Sequence, residues 1–411
     1  MKRFTGWQWL LINAANLAGR DKLTLEERYE WALANLDDLE DFGDDAGTDY
    51  PQYITAVKAI RKAQNKQSTG LLVTVDAVCS GMQIMSAMAG CVNGAKATGL
   101  VNTGKRPDAY RAVTDAMNHK LGGTLNVSRD DAKRSVMTSF YGSEAVPKEV
   151  FGEGSIELDT FYEIMELVAP GAWRLLDVLK AAWNPMALEH SWKLPDGFDA
   201  KVKVMQPKEV RIEVDELEHS TFTYYYKENQ GSLKGISLVA NCVHSVDAFV
   251  MREMHRRCNY NDFLLRAVKS IIEIELLSRE LTKPVKIGGK FLAQYYEKQY
   301  IRSGICSVVG ISQINEVTVE YLSIAYLLEI SRLIEMMLEH KPFHLVTLHD
   351  AFSAHCNNID QVRFHYKEIL AEIADSNLLN DVLGQIKPRL TFKKLSKNLS
   401  EKIRESDYAL T

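Results

Sequence analysis

No Cys-x-x-Cys pair occurs in this sequence: Cys79, Cys91, Cys242, Cys258, Cys306 and Cys356 are scattered singly. That spacing argues against a zinc ribbon or a disulfide framework and fits a reducing compartment. No run of about 18 apolar residues occurs, and the N-terminus has no uninterrupted apolar segment. Neither a membrane span nor a secretory leader is expected. Positive charge is in short supply as well. Lys and Arg number 49 against 54 Asp and Glu, a net charge of −5. The surface as a whole is therefore not built to grip nucleic acid; such a surface must be a local basic groove or be completed by a partner. There is no internal repeat and no low-complexity tract. What is there is 411 residues, 46% hydrophobic and 25% charged, the composition of a globular protein and enough length for two or three domains.

The segment Ser128 to Gly142 holds the densest chemistry. It contains no Pro or Gly before Gly142, so it predicts one helix with Ser128 as N-cap. Arg129, Lys133, Met137 and Tyr141 stand four apart and form one gently winding stripe, each step drifting about 40°. Lys133 and Tyr141 are then roughly 12 Å apart, about the reach from a nucleotide's triphosphate to its sugar and base. Arg129 and Lys133 suit phosphate, since charge-assisted bonds are the strong ones.

Elsewhere, Thr24 and Glu27 predict a capping box. An acidic loop is expected over about 37–50, and helix over 51–67. Leu71-Leu-Val-Thr-Val-Asp76 predicts a buried strand delivering Asp76 at its tip, followed by a turn at Cys79-Ser-Gly81 and a helix. Residues 156–184 read as helix, and Leu194-Pro-Asp-Gly-Phe198 as a turn. From Lys201 to Lys234 the pattern becomes β, a protruding hairpin or small sheet. Its Tyr224-Tyr-Tyr226 run reads as strand core ahead of base stacking. Residues 237–257 and most of 260–340 read as helix. Phe343 to Asp350 is a second strand ending in a carboxylate, followed by two helices and a short tail. If the two strands are neighbours, Asp76 and Asp350 would share a pair of Mg²⁺ ions, with the backbone carbonyl of Ala77 as a further ligand.

These pieces resemble the single-subunit RNA polymerases of bacteriophages and mitochondria. Asp76-Ala-Val-Cys-Ser-Gly81-Met-Gln-Ile is similar to their motif A, usually Asp-Gly-Ser-Cys-Ser-Gly-Ile-Gln-His. Arg129-x3-Lys133-Arg-Ser-Val-Met137-Thr-x2-Tyr141-Gly142 resembles motif B, and His349-Asp350-Ala-Phe352 resembles motif C. Val243-His244-Ser-Val-Asp247 is similar to the His-Ser-Gln-Asp stretch before motif C. Residues 6–22 and the ending Glu405-Ser-Asp-Tyr-Ala-Leu-Thr411 resemble the segment before motif A and the family's C-terminal foot.

The resemblance implies roles. Asp76 and Asp350 would hold two Mg²⁺ ions. Arg129 and Lys133 would contact the triphosphate, with Lys133 also protonating the leaving pyrophosphate. Tyr141 and Gly142 would sit at the nucleotide pocket, with His244 helping Tyr141 choose ribose and Tyr110 beside them. Gly81 stands where related DNA polymerases carry a Glu that blocks a 2′-hydroxyl, and Ala351 and Met137 also depart from those enzymes. The expected fold is α+β, a right-hand polymerase palm and fingers, mostly helical around a small palm sheet. The expected parts are a palm-associated segment (1–75), a motif A palm region (76–122), fingers with motif B and a β hairpin (123–235, hairpin 201–234), and remaining fingers and palm with motif C and foot (236–411).

The long interval from His244 to Asp350 implies an insertion at about 258–325. Ala77 and Ile84 replace the family's usual Gly and His. The stretch before Asp76 is too short for the family's promoter domain, thumb and upstream Arg motif. The expectation is the catalytic subunit of a split, heterodimeric phage RNA polymerase in the cytoplasm of an infected bacterial host. Its partners would be a second subunit supplying thumb and N-terminal elements, DNA template, nascent RNA and ribonucleoside triphosphates, with no membrane. A template-directed DNA polymerase, a primase-like enzyme and a non-catalytic assembly protein are the competing readings. Gly81 argues against the first, and the intact Asp76, Lys133, Tyr141 and Asp350 against the last.

Overall fold

Strand β1 (Leu72–Asp76) lies antiparallel to a strand from the far end of the chain. The computed structural model describes residues 1–123, 125–233, 235–281 and 284–411. Lys234, the expected last residue of the β segment, and residues 282 and 283 of the expected insertion lie outside the described residues.

Before β1 come α1 (Gly6–Ala15), α2 (Leu25–Ala34) and α3 (Tyr50–Gln64). Thr5 and Thr24 cap the first two, each in a capping box, the second with Glu27 as expected. The expected acidic loop at 37–50 is instead two short 3₁₀ helices, pinned where Arg61 bonds the Leu36 carbonyl and Glu40. After β1 follow α4 (Ser80–Ala89), α5 (Val92–Ala97), α6 (Ala109–Lys120), α7 (Arg129–Ser139), α8 (Ala145–Phe151), α9 (Ile156–Val168) and α10 (Pro170–Ala181). Two hairpins come next: β2 (Glu189–Lys193) with β3 (Asp199–Lys203), turned by Leu194–Phe198, and β4 (Met205–Val214) with β5 (Ser220–Asn229). Then come α11 (Ile236–Cys258), α12 (Asp262–Glu280), α13 (Leu292–Ser303), α14 (Ile324–Leu338), β6 (Val346–Leu348), β7 (Ala351–His355), α15 (Ile359–Asp375), α16 (Leu378–Ile386) and α17 (Leu399–Glu405). The fold is mostly helical with small sheets, an α+β protein, and all six cysteines are free and buried.

The three-stranded sheet runs β1-β7-β6. Val73 faces Ala354 and Val75 faces Phe352, and these four are buried. β1 is therefore half-buried rather than buried: Leu72, Thr74 and Asp76 alternate onto the open face. Thr74 Oγ1 and Ser353 Oγ, 2.7 Å apart, pair across that face. Helix α15 packs against β7 and α1 against β1, while α4 packs on α15 and α11 packs on both α4 and α15. The other edge of β1 is closed by the last residues, with Asp76 and Thr411 exchanging both backbone hydrogen bonds at 3.1 and 3.0 Å. Buried Gln83 holds that segment by donating to the Ala409 carbonyl at 3.0 Å. Gly99 is required beneath it, since a Cβ there would lie 2.4 Å from the Tyr408 carbonyl oxygen.

A second hydrophobic core, separate from the main one, is built around Leu265, Ile272, Leu327, Ile330 and Ile334 of α12 and α14. Full burial of each such side chain is worth about 1.5–3 kcal/mol, so it is a substantial unit. It is joined to the main body by Arg332 of α14, which reaches Glu372 of α15 at 3.1 Å, a carboxylate that wholly buried Arg257 of α11 also binds at 2.6 Å.

The β4–β5 hairpin corrects one expectation. Tyr224, Tyr225 and Tyr226 are exposed, at 56%, 70% and 39%, not strand core. The two strands form their own sheet, with Val210 opposite Tyr224 and Ile212 opposite Phe222 making one apolar face. No buried residue occurs in β4 or β5.

Candidate active site

A cleft of about 630 Å³ opens over the sheet's solvent-facing side. Asp76, Ala77, Gly81, Tyr110, Arg129, Lys133, Tyr141, His244 and Asp350 all line it, although they come from five separate stretches of chain. Gly142 does not. It ends the α7 turn at φ 83° and lines a neighbouring cavity of about 330 Å³ with Ser143, Tyr162 and Trp173.

The carboxylates meet through the sheet register. Asp76, the last residue of β1, faces Ala351, so Asp350 is one residue away. The Ala77 N–H donates to the Asp350 carbonyl at 3.4 Å and to Asp76 Oδ1 at 2.9 Å. His349 and Asp350 form the two-residue turn between β6 and β7, and His349 takes the positive φ (55°) that such a hairpin turn requires. Crowding by the cleft walls, then the charge of Asp350, pushes the Asp76 carboxyl up to about 6, with Lys133 pulling it back. Asp247 of α11, one turn beyond His244, is likewise raised to about 6 by burial and then by Asp350.

Helix α7 supplies the basic edge. Ser128 caps it by accepting from the Asp131 N–H at 3.1 Å. Arg129 is oriented by Asp108, with Nε 3.0 Å and a terminal nitrogen 2.8 Å from Oδ2. Arg129 and Lys133 both approach the face of buried Tyr110, at 5.5 and 5.9 Å from the ring centroid. The helix ends at Ser139, so Tyr141 lies just past it rather than on its stripe. There its ring stacks on His244, and its hydroxyl is 3.3 Å from Ser80 Oγ. Burial raises the Tyr141 hydroxyl to about 12, and burial and then His349 lower His244. Both rings are therefore neutral near pH 7. Gly81 keeps this arrangement possible, since a Cβ there would lie 3.0 Å from Tyr141 Cζ.

Oxygen ligands, and the Asp76 and Asp247 carboxyls raised by burial and then by the charge of Asp350, are what a hard divalent cation relieves, so these residues fit Mg²⁺. Among the described residues, the one trio of metal-ligating atoms already drawn within 4.8 Å of one another is elsewhere. It comprises Glu213, Asp215 and His219 on the exposed tip of the β4–β5 hairpin.

Among the cleft residues to which sequence reasoning gave no role are Ser80, Arg106, Asp108, Asp247, His349 and Thr411. Asp247 carried a signal, its i+3 spacing from His244 on a helix. Arg106 sits in a polar loop before α6 with no periodicity to mark it.

Comparison with known proteins finds similarity to RNA polymerases. A family profile described as DNA-dependent RNA polymerase matches residues 3–151, which include Asp76, Lys133 and Tyr141. The DNA-directed RNA polymerase of Pseudomonas phage phiKMV is 23% identical over 368 residues, 75% of this chain and 44% of that protein. The mitochondrial DNA-directed RNA polymerase of Neurospora crassa is 24% identical over 164 residues, 34% of this chain and 12% of that protein. The chain thus spans less than half the length of these relatives. The profile and the two relatives agree in making the chain similar to phage- and mitochondrial-type DNA-dependent RNA polymerases.

Proposed function

We propose that this chain carries the catalytic palm and fingers of a DNA-directed RNA polymerase, joining ribonucleoside triphosphates on a DNA template. The observation that carries this reading is the meeting of Asp76, at the end of β1, with Asp350, in the turn that leads into the adjacent β7, in one cleft with Arg129, Lys133, Tyr141 and His244.

Asp76 and Asp350 would hold the Mg²⁺ ions, with Ala77 beside them and Asp247 behind. When bound, the ions supply charge neutralisation for the attacking and leaving oxygens. The chain's own residues do the rest. Arg129, held by Asp108, takes triphosphate oxygens, and Lys133 donates a proton to the departing pyrophosphate. Tyr141, stacked on His244, supports the sugar and base. Gly81 leaves the space a 2′-hydroxyl needs, which favours an RNA over a DNA polymerase. Gly142 and its adjoining cavity lie on the side of the template base.

In this reading the second core corresponds to the inserted region at about 258–325, and the β4–β5 hairpin to a promoter-contacting element. A second subunit gripping the template–RNA hybrid is also part of the proposal. The modest net charge of −5 supports it, since a clamp on nucleic acid needs more positive surface than this chain supplies.

The test is extension of an RNA primer on single-stranded DNA with Mg²⁺, offering ribo- and deoxyribonucleotides, for the chain alone and with proteins that co-purify with it. Ribonucleotide incorporation abolished by Asp350→Asn supports the reading. Undiminished activity in that variant, or deoxyribonucleotide preference, overturns it.

A further inference from the structure

We propose that Arg106 is a third phosphate-binding side chain of the cleft, beside Arg129 and Lys133, reaching the pyrophosphate end of a bound nucleoside triphosphate from the loop before α6. This rests on the polymerase reading for the identity of the ligand, but not for the existence of an anion site.

The argument begins with unspent hydrogen bonds. A guanidinium offers five N–H donors in a planar fork. The buried arginines around the cleft use theirs. Arg28 donates to Asn16 and to the Leu23 and Asp21 carbonyls, and Arg363 to Asp360 and to the Lys2 and Asp407 carbonyls. Arg129 is engaged with Asp108. Arg106 differs. Its one hydrogen-bond partner among the described residues is the hydroxyl Oγ1 of Thr411, at 3.4 Å. Its Nε is buried with no acceptor, and among the described residues no carboxylate lies within ion-pair distance of it. Yet it lines the cleft together with Asp76 and Lys133.

Electrostatics point the same way. Burial, with Arg129 also opposing its charge, lowers the pKa of Arg106, while Asp21 and Asp108 act against that shift. Arg106 in turn lowers that of Arg28. Three guanidiniums thus approach one another, and the nearby Asp108 is already committed to Arg129. Such an arrangement is relieved by an anion, and a fork of parallel N–H groups matches two phosphate oxygens. Thr411 aims the fork. Its backbone is paired to Asp76, so the same segment that closes β1 orients Arg106 relative to the carboxylates.

The test is equilibrium binding of inorganic tripolyphosphate to the whole chain, without template, followed by calorimetry. Arg106→Gln is expected to weaken binding about ten- to a hundredfold, the worth of one or two charge-assisted bonds. Arg106→Lys keeps the charge but not the fork and is expected to lose about half of that in log units. Thr411→Val, which removes only the tether, is expected to lose less than either. If Arg106→Gln does not fold, the Lys variant decides: parent-like affinity for tripolyphosphate overturns the proposal, and a loss in a protein with parent-like Tm supports it. Because no template is present, Arg106-dependent binding in a chain that makes no RNA sustains the anion site while removing the polymerase reading. RNA synthesis whose KM for ribonucleotides is unchanged in Arg106→Gln does the reverse.

Discussion

The rings of Tyr141 and His244 lie face to face, with 4.4 Å between centroids and 15° from parallel. The Tyr141 hydroxyl, 3.3 Å from Ser80, is the polar atom this stack presents beside Gly81. Tyr141→Phe keeps the stack and removes the hydroxyl. The expected outcome is a fall of about tenfold in discrimination against deoxyribonucleotides, one hydrogen bond's worth, with little change in kcat for ribonucleotides. Competition between the two nucleotide classes on one template measures it directly.

At Gly81 the margin is steric. A Cβ would meet Tyr141 Cζ, Cε2 and Oη at 3.0, 3.1 and 3.2 Å. Gly81→Glu is expected to displace that ring and fill the sugar's space, lowering kcat/KM for ribonucleotides about a hundredfold and for deoxyribonucleotides by less. A ratio unchanged from the parent would remove Gly81 from sugar selection.

Asp350→Asn is expected to reduce extension by at least about a thousandfold, as loss of several kcal/mol of charge stabilisation implies. It should also cancel most of the rise in Tm that Mg²⁺ gives the parent at neutral pH. The metal-free protein supplies an independent readout. Asp76 and Asp247, both raised to about 6 in the fold, contribute stability that is complete below their unfolded pKa and lost as pH rises through about 6. Asp247→Asn should therefore flatten the decline of metal-free stability between about pH 4 and 7. An Asn variant whose Tm follows the parent at every pH would show that Asp247 is not held out of water.

The exposed hairpin predicts a separation of functions. Tyr224→Ala with Tyr226→Ala removes two rings stacked at 5.9 Å and no buried contact. Tm should stay within about 2 °C, as for surface changes generally. Primed extension should be unaffected, and initiation on a duplex promoter should fall. Equal losses in both assays would make the hairpin a structural part of the cleft.

What was legible in the sequence divides along physical lines. Caps such as Thr24 with Glu27 and Ser128 were legible because a cap is settled within four residues. Asp76 and Asp350 could be read as strand ends, and their approach inferred only conditionally. It depends on β7, which pairs with β1 and was not separated from the strand before Asp350. Tyr141 was placed beside the cleft, but on the helix rather than two residues past its end, since only the fold shows α7 ending at Ser139. The burial of Tyr224 to Tyr226 was misjudged because alternation reveals a strand without revealing whether a second layer covers it. Arg106 was illegible: its importance comes from partners it lacks, and no local pattern encodes those.

The pairing of β1 with β7 on one edge and with Thr411 on the other also sets a clock. As the chain emerges from the ribosome, Leu72–Asp76 waits with both edges unpaired until the distant residues of β7 and Thr411 have followed. Closing so long a loop is slow compared with forming the local helices around it. The helical walls of the cleft can therefore stand before its floor exists. A nascent or truncated chain would show Arg129 and Lys133 on a formed helix while having no second carboxylate to set against Asp76. The pair of carboxylates should form abruptly, once β7 has docked on β1, rather than in proportion to the length made.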